Sequence, residues 1–289
     1  MPTNWLEWQL FPEESLPVLK NAYALLLEKA SLPFQKAREA LLMPSTAAFQ
    51  DATKDVLSLA DVHPYTLNLL LCASCLDELR ERYQNAGKED LFRSYKEQLA
   101  TLLRSCKDTS GIWGIKNALW NWMFHELGCV RLGRLLFEPY FHFSTAEYNG
   151  IKRGDRVILI HIPGGEKLDM TAVEQALQLG YAHFKDRFEN GIVPFVTDSW
   201  LIYPPYLEGV FKEGSNLEKF ARLFTVIEES TDAFSNFRTV FGIPYSEENL
   251  ARVPQDTSLQ RNMLRFIKDG NKMGRGYGIF FYGENGIIK

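Results

Sequence analysis

The sequence lacks the features of a membrane protein, a disulfide-rich secreted protein and a nucleic-acid-binding protein. Its longest apolar stretch, residues 65–76, contains polar residues and is too short to span a bilayer. Only four cysteines occur in 289 residues, and no positive segment followed by an apolar one opens the chain, so we expect a cytoplasmic protein without a signal peptide. The 32 basic residues do not exceed the 36 acidic ones, which predicts no nucleic-acid partner.

Glycine is scarce in the first 128 residues, which hold four of the twenty in the chain. Since glycine disfavours helices, this asymmetry predicts a helical domain over residues 1–128 and a strand-containing domain over residues 129–289. Apolar residues of the first part recur at spacings of three and four, as at Leu16, Leu19 and Tyr23. One helix is predicted to begin at His63-Pro64 and to reach residue 87, and an aromatic helix is predicted over residues 113–124.

The second part alternates between strand-like and helix-like segments. Their order, β-β-α-β-α-β-α-β, indicates an α+β fold in which a mixed sheet carries helices on its faces. The predicted strands are residues 129–143, 156–162, 192–203, 237–241 and 277–282, and the predicted helices are residues 170–189, 215–227 and 257–268.

A short loop between a strand and a helix is the most informative segment. It reads Pro163-Gly164-Gly165-Glu166-Lys167-Leu168, and Asp169 can cap the helix that follows. Unpaired N–H groups at a helix start suit an anion such as a pyrophosphate, whereas the alternative is a tight turn that binds nothing. The glycine-rich residues 274–278 precede no helix, so we interpret them as a turn, leaving open a contact between Arg275 and a ligand phosphate.

Two polar residues lie in predicted strands at positions where apolar residues are expected. His161 ends the run Val157–Ile160, and Asp198 shares a strand face with Val196 and Trp200. If the two strands are neighbours, the pair is either catalytic or a structural hydrogen-bonded pair. A hydrolase with Ser199 as the nucleophile is less favoured, because the chain has no glycine-flanked nucleophile elbow.

The cysteines do not form a recognisable metal site. Cys72 and Cys75 have CxxC spacing but lie inside a predicted helix, and no second pair follows at zinc-finger spacing. The pattern favours small core residues, and we predict no metal.

Five blocks, in order, resemble the GNAT-like C-terminal domain of bacterial two-domain N-acyltransferases. The resemblance covers about residues 129–280, and the helical first part is similar to the N-terminal domain of the same group. The blocks are Leu132–Glu138, His161–Leu168, Ser199–Leu201, Ser215–Phe224 and Thr257–Arg261.

This resemblance implies transfer of an acyl group from acyl-CoA, as cosubstrate, to an amine of a small molecule or peptide. In a GNAT fold the thioester lies between two splayed strands, here residues 156–162 and 192–203. The loop Pro163–Leu168 would hold the CoA pyrophosphate, although it lacks the common Arg/Gln-x-x-Gly-x-Gly/Ala sequence. His161 or Asp198 is the expected base. The alternative is a non-catalytic GNAT-shaped protein whose helical part docks a partner.

Overall fold

The computed structural model describes residues 8–43, 46–121, 124, 129–164, 166–231 and 236–288. The chain divides into two compact units, residues 1–131 and residues 132–289. Gly128, after which the sequence predicts the domain boundary, lies outside the described residues. None of the described helices combines the length and apolar character that a membrane span requires.

The first unit is built from helices. A 3-10 turn at Glu13–Ser15 leads into the first of them, and Pro17 lies in its first turn, where the missing N–H costs nothing. The helices are α1 (Leu16–Lys29), α2 (Ser31–Leu42), α3 (Thr46–Leu59), α4 (Pro64–Ser74), α5 (Leu76–Asn85) and α6 (Glu89–Ser110).

Helix α4 lies in the core of this unit, because eight of its eleven residues are buried. The single helix predicted from His63 to residue 87 was wrong, since the chain breaks at Cys75 into α4 and α5. The carbonyl of Ser74 accepts a hydrogen bond of 2.9 Å from Arg38 Nε, which supplies a side-chain partner at the break.

The aromatic helix predicted over residues 113–124 was also wrong over residues 113–121, whereas Phe124 is helical. Residues 112–118 form bends, and only Leu119–Asn121 form a 3-10 turn, while Trp122 and Met123 lie outside the described residues. The bends are tied to α4, because Ile115 N–H donates to the Tyr65 carbonyl at 2.9 Å. Gly114 passes so near that a Cβ atom there would lie 2.4 Å from the same carbonyl oxygen.

The second unit is built on a mixed sheet with the strand order β1-β2-β3-β4-β6-β5, and β7 pairs with β6. Strands β3 and β4 are parallel, whereas β2 with β3, β4 with β6 and β5 with β6 are antiparallel. The strands are β1 (Val130–Leu132), β2 (Leu135–His142), β3 (Arg156–His161), β4 (Val193–Ser199), β5 (Thr225–Thr231), β6 (Gly274–Gly283) and β7 (Gly286–Ile288). The predicted α+β class is thereby confirmed.

Helices flank this sheet, and the longest follows β3. They are α7 (Met170–Phe184), α8 (Pro204–Gly209), α9 (Asn216–Ala221), α10 (Phe237–Phe241), α11 (Glu247–Leu250) and α12 (Ser258–Lys268). Helix α12 begins with a complete capping box between Thr257 and Gln260. Helix α7 lies so close to β2 that a Cβ atom on Gly180 would be 2.7 Å from the Phe137 ring.

Several segments in this part of the chain differ from the sequence predictions. The predicted strand 129–143 is divided into β1 and β2 by a turn at Gly133-Arg134, and the predicted strand 192–203 ends at Ser199, after which Trp200–Ile202 form a 3-10 turn. Residues 225–231 form strand β5 instead of the end of a helix, because β-branched residues pair with the edge of β6. Residues 237–241 form a helix, since Phe237, Val240 and Phe241 are buried at helical spacing. Residues 274–278 are the start of β6 and not a turn. Their glycines leave room for neighbouring side chains, as at Gly278, where a Cβ atom would lie 2.6 Å from Ile202 Cδ1.

Candidate active site

The candidate site lies at the carboxyl ends of β3 and β4, which are neighbours in the sheet, so the condition set in the sequence analysis for His161 and Asp198 is met. Their paired register joins Ile158 to Phe195 and Leu159 to Val196. The next link is a side-chain hydrogen bond of 3.0 Å from Thr197 Oγ1 to the Ile160 carbonyl. The backbone pairing of the two strands therefore ends two residues before His161.

His161 lies on one face of the sheet at this end, together with Glu138, Leu159, Val196 and Asp198; we call this the His161 face. Below the polar residues, this face carries an apolar cluster. The cluster consists of Phe143, Val157, Leu159, Val196, Tyr277 and Ile279. Helix α7 packs on the opposite face, where Phe137 lies.

Glu138 is the hydrogen-bond partner of the His161 ring. Glu138 Oε2 lies 2.8 Å from His161 Nε2, and each side chain is about a quarter exposed, at 26% and 23%. Because an ionised carboxylate only accepts hydrogen bonds, Nε2 must carry the proton. The nitrogen of the neutral ring that has a lone pair is then Nδ1, so the carboxylate fixes the tautomer.

Asp198 has a different charged partner. Its Oδ2 atom lies 3.4 Å from Nη1 of Arg275, and its side chain is 40% exposed. Arg275 Nε also donates to Ser230 Oγ at 3.1 Å. The structure therefore places both sequence-predicted residues at one edge and on one face of the sheet, and it adds Glu138 and Arg275 as their partners.

Ser199 serves a local structural role. Its Oγ atom accepts a hydrogen bond of 3.2 Å from Leu201 N–H and caps the 3-10 turn Trp200–Ile202. Strand alternation turns Ser199 away from the face that Asp198 shares with His161. This geometry gives no support to a serine nucleophile.

The predicted anion loop begins two residues after His161. Gly165 lies outside the described residues, but Pro163, Gly164 and Glu166–Leu168 are described. Gly164 is exposed, and a Cβ atom there would meet nothing within 4 Å. Asp169 caps α7 as predicted, because its Oδ1 atom accepts from Ala172 N–H at 3.0 Å. Among the described residues, the N–H groups of Met170 and Thr171 face no acceptor.

Arg134 supports this loop from within the protein. It lies in the turn between β1 and β2, and its side chain is only 5% exposed. Its Nε atom donates to the Lys167 carbonyl at 3.0 Å, and its Nη2 atom donates to the Glu166 carbonyl at 2.9 Å. Arg134 and Glu138 were not predicted as site residues. Both border the apolar run Leu135–Phe137, and a polar residue at the border of an apolar run is the signal that identified His161, so the same signal could have found them.

Tyr277 is a further polar residue on the His161 face. Burial raises the pKa of its phenol, and the nearby charges of Asp198 and Glu228 raise it further. The phenol consequently keeps its proton at neutral pH. Its position on β6, opposite Asp198, makes it part of the wall of the candidate site.

The four cysteines belong to the first unit. All four are free thiols and buried. Burial raises the pKa of Cys72, and it raises the pKa of Cys75 from 9.0 to about 12. In the part of the chain that the structure describes, no three His, Cys, Asp or Glu residues converge as metal ligands.

Comparisons with known proteins agree with this fold. A model of the family described as the GNAT-like C-terminal domain matches residues 129–280. One similar structure, an acyltransferase in complex with decanoyl-CoA and teicoplanin, is 21% identical with a TM-score of 0.59, and the match covers 75% of this chain and 66% of that chain, just under two thirds.

Two further solved structures match over most of this chain. An acyltransferase in complex with CoA and 10C-teicoplanin is 17% identical, with a TM-score of 0.67 and coverage of 93% of this chain and 88% of that chain. A mutant acyltransferase in complex with octanoyl-CoA is 18% identical, with a TM-score of 0.65 and the same coverage. At these identities the likeness shows a shared fold.

No curated protein sequence matches the chain. The family model nevertheless covers more than half of it, and the resemblance of residues 129–280 to the GNAT-like C-terminal domain is confirmed. The protein belongs to the family of the GNAT-like C-terminal domain.

Proposed function

We propose that the protein transfers an acyl group from acyl-CoA to an amine of a small molecule or peptide. The observation that carries the proposal is the His161–Glu138 pair at the carboxyl end of β3, beside the end of its pairing with β4 and two residues before an open loop. Membership of the GNAT-like family and the acyl-CoA bound in similar structures support it.

His161 is the proposed base. The amine nitrogen attacks the thioester carbonyl, a C–N bond forms, and the C–S bond breaks. Nδ1 of His161 takes the proton that the amine loses, and Glu138 stabilises the imidazolium that results. The departing thiol has an ordinary pKa of about 8.5, so protonation of the thiolate demands little from the protein. Asp198 remains a second candidate for the base.

The residues Pro163–Leu168 are the proposed binding loop for the CoA pyrophosphate. Gly164 leaves open space for phosphate oxygens, and the N–H groups at the start of α7 face no acceptor among the described residues. The exposed ammonium group of Lys167 adds a positive charge. The Asp169 carboxylate uses only the Ala172 N–H, so it leaves the N–H groups of Met170 and Thr171 to a ligand.

The proposal is tested by release of free thiol from acetyl-, octanoyl- and decanoyl-CoA with a panel of amines. We expect amine-dependent thiol release, and we expect His161→Gln to lower the turnover number by about 100-fold or more while CoA still binds. If CoA binds but no combination of acyl-CoA and amine releases thiol, the non-catalytic alternative is favoured. Amine-independent thiol release in equal amount would favour a hydrolase.

A further inference from the structure

Arg134 is held in a fixed position behind the loop Pro163–Leu168. The residue before it, Gly133, has a positive φ of 61°, a conformation that favours glycine. A Cβ atom on Gly133 would lie 3.5 Å from the Cβ atom of Ala176, so the turn rests against α7. Helix α7 also begins immediately after the loop. The turn that carries Arg134 and the loop Pro163–Leu168 are therefore both held by α7.

The two hydrogen bonds of Arg134 fix the direction of two successive peptide groups. The Glu166 and Lys167 carbonyls both point towards the guanidinium, at 2.9 and 3.0 Å. In a trans peptide the N–H of the next residue points the opposite way. The N–H groups of Lys167 and Leu168 therefore point away from Arg134, and neither faces an acceptor among the described residues.

We infer that Arg134 is a positioning residue for the acyl-CoA pyrophosphate, which it serves by turning the Lys167 and Leu168 N–H groups outwards. This inference rests on the proposed function. The planar guanidinium donates from Nε and Nη2 in parallel, a geometry that matches two neighbouring carbonyl oxygens. A lysine ammonium is a point donor and cannot hold both carbonyls in the same way.

The test compares CoA binding by calorimetry in the wild type, Arg134→Lys and Arg252→Lys. Arg252 forms an exposed ion pair with Glu248 and is the matched control. We expect Arg134→Lys to weaken CoA binding by about tenfold or more, because two charge-assisted hydrogen bonds are disturbed. In turnover assays the KM for acyl-CoA should rise much more than kcat falls, and Arg252→Lys should match the wild type.

A second measurement avoids the risk that a variant of a buried arginine does not fold. In the wild type, the Lys167 and Leu168 amides should exchange their hydrogens rapidly without CoA and at least tenfold more slowly at saturating CoA. Unchanged exchange at both amides would overturn the inference about Arg134 and leave the proposed function standing. A folded Arg134→Lys protein that binds CoA as the wild type does would have the same consequence. A wild type that binds no CoA would overturn this inference together with the proposed function.

Discussion

Replacing Glu138 by glutamine tests whether the negative charge of Glu138 supports His161 as the base. Glutamine has nearly the same shape, and its amide oxygen can still accept a hydrogen bond from His161 Nε2. The substitution therefore removes the negative charge at 2.8 Å from the ring without removing the hydrogen bond. If His161 becomes charged during the reaction, this loss raises the activation free energy.

The size of the effect follows from the partial exposure of the two groups. Two unit charges at about 4 Å interact by about 1 kcal/mol in water and by about 4 kcal/mol at an effective dielectric constant of 20. Both side chains are about a quarter exposed, at 26% and 23%, so the value lies between these limits. A loss of about 1 to 3 kcal/mol lowers kcat roughly five- to 160-fold.

The assay measures thiol release and thermal unfolding on the same set of purified variants. We expect the loss of kcat to follow the order His161→Gln, then Glu138→Gln, then Asp198→Asn, because Asp198 is paired with Arg275. Glu229→Gln is the matched control, since this exposed residue of β5 lies opposite Gly276 on the other face of the sheet. A larger loss for Asp198→Asn than for Glu138→Gln, with equal melting temperatures, would refute the assignment of Glu138.

Other perturbations test the loop, the core and the buried thiols. Gly164→Val should leave the melting temperature nearly unchanged, because its Cβ atom enters open space, and should weaken CoA binding measured by calorimetry; equal affinity would remove Gly164 from the site. Phe195→Ala should lower the free energy of unfolding in urea by about 3–5 kcal/mol, since this buried ring contacts Phe137 and Phe280, and a loss below about 1 kcal/mol would contradict that packing. The free energy of unfolding should fall as the pH rises from 9 to 12, because folded Cys75, with its pKa of about 12, keeps a proton that the unfolded thiol loses near 9.0; urea titrations that show no such fall would contradict the burial of this thiol.

Local signals in the sequence predicted the parts of the fold that depend on neighbouring residues. The cap at Asp169 forms as its sequence indicates, because a cap needs only the next three residues. The apolar run before His161 predicted a strand of the mixed sheet, and β3 has neighbours in the sheet and apolar layers above and below it.

Features that depend on distant pairing could not be predicted in the same way. The partner of His161 is set by the register of β2 against β3, in which Leu136 lies opposite His161 and Glu138 opposite Leu159. Glu138 and His161 are therefore a diagonal pair on one sheet face, and no local pattern specifies such a register. Strand β5 was misassigned for a related reason, since its structure depends on the edge that β6 offers.

The charges on the His161 face bear on which acceptor the site suits. With a neutral imidazole, Glu138, Asp198 and Glu228 contribute three negative charges and Arg275 contributes one positive charge, which leaves this group two units negative. A negative site attracts a protonated amine and repels an anionic acceptor. It also favours the protonated form of His161 at the moment when the ring takes a proton. The same charge arrangement thus supports both the approach of an amine and the chemistry that we propose for His161.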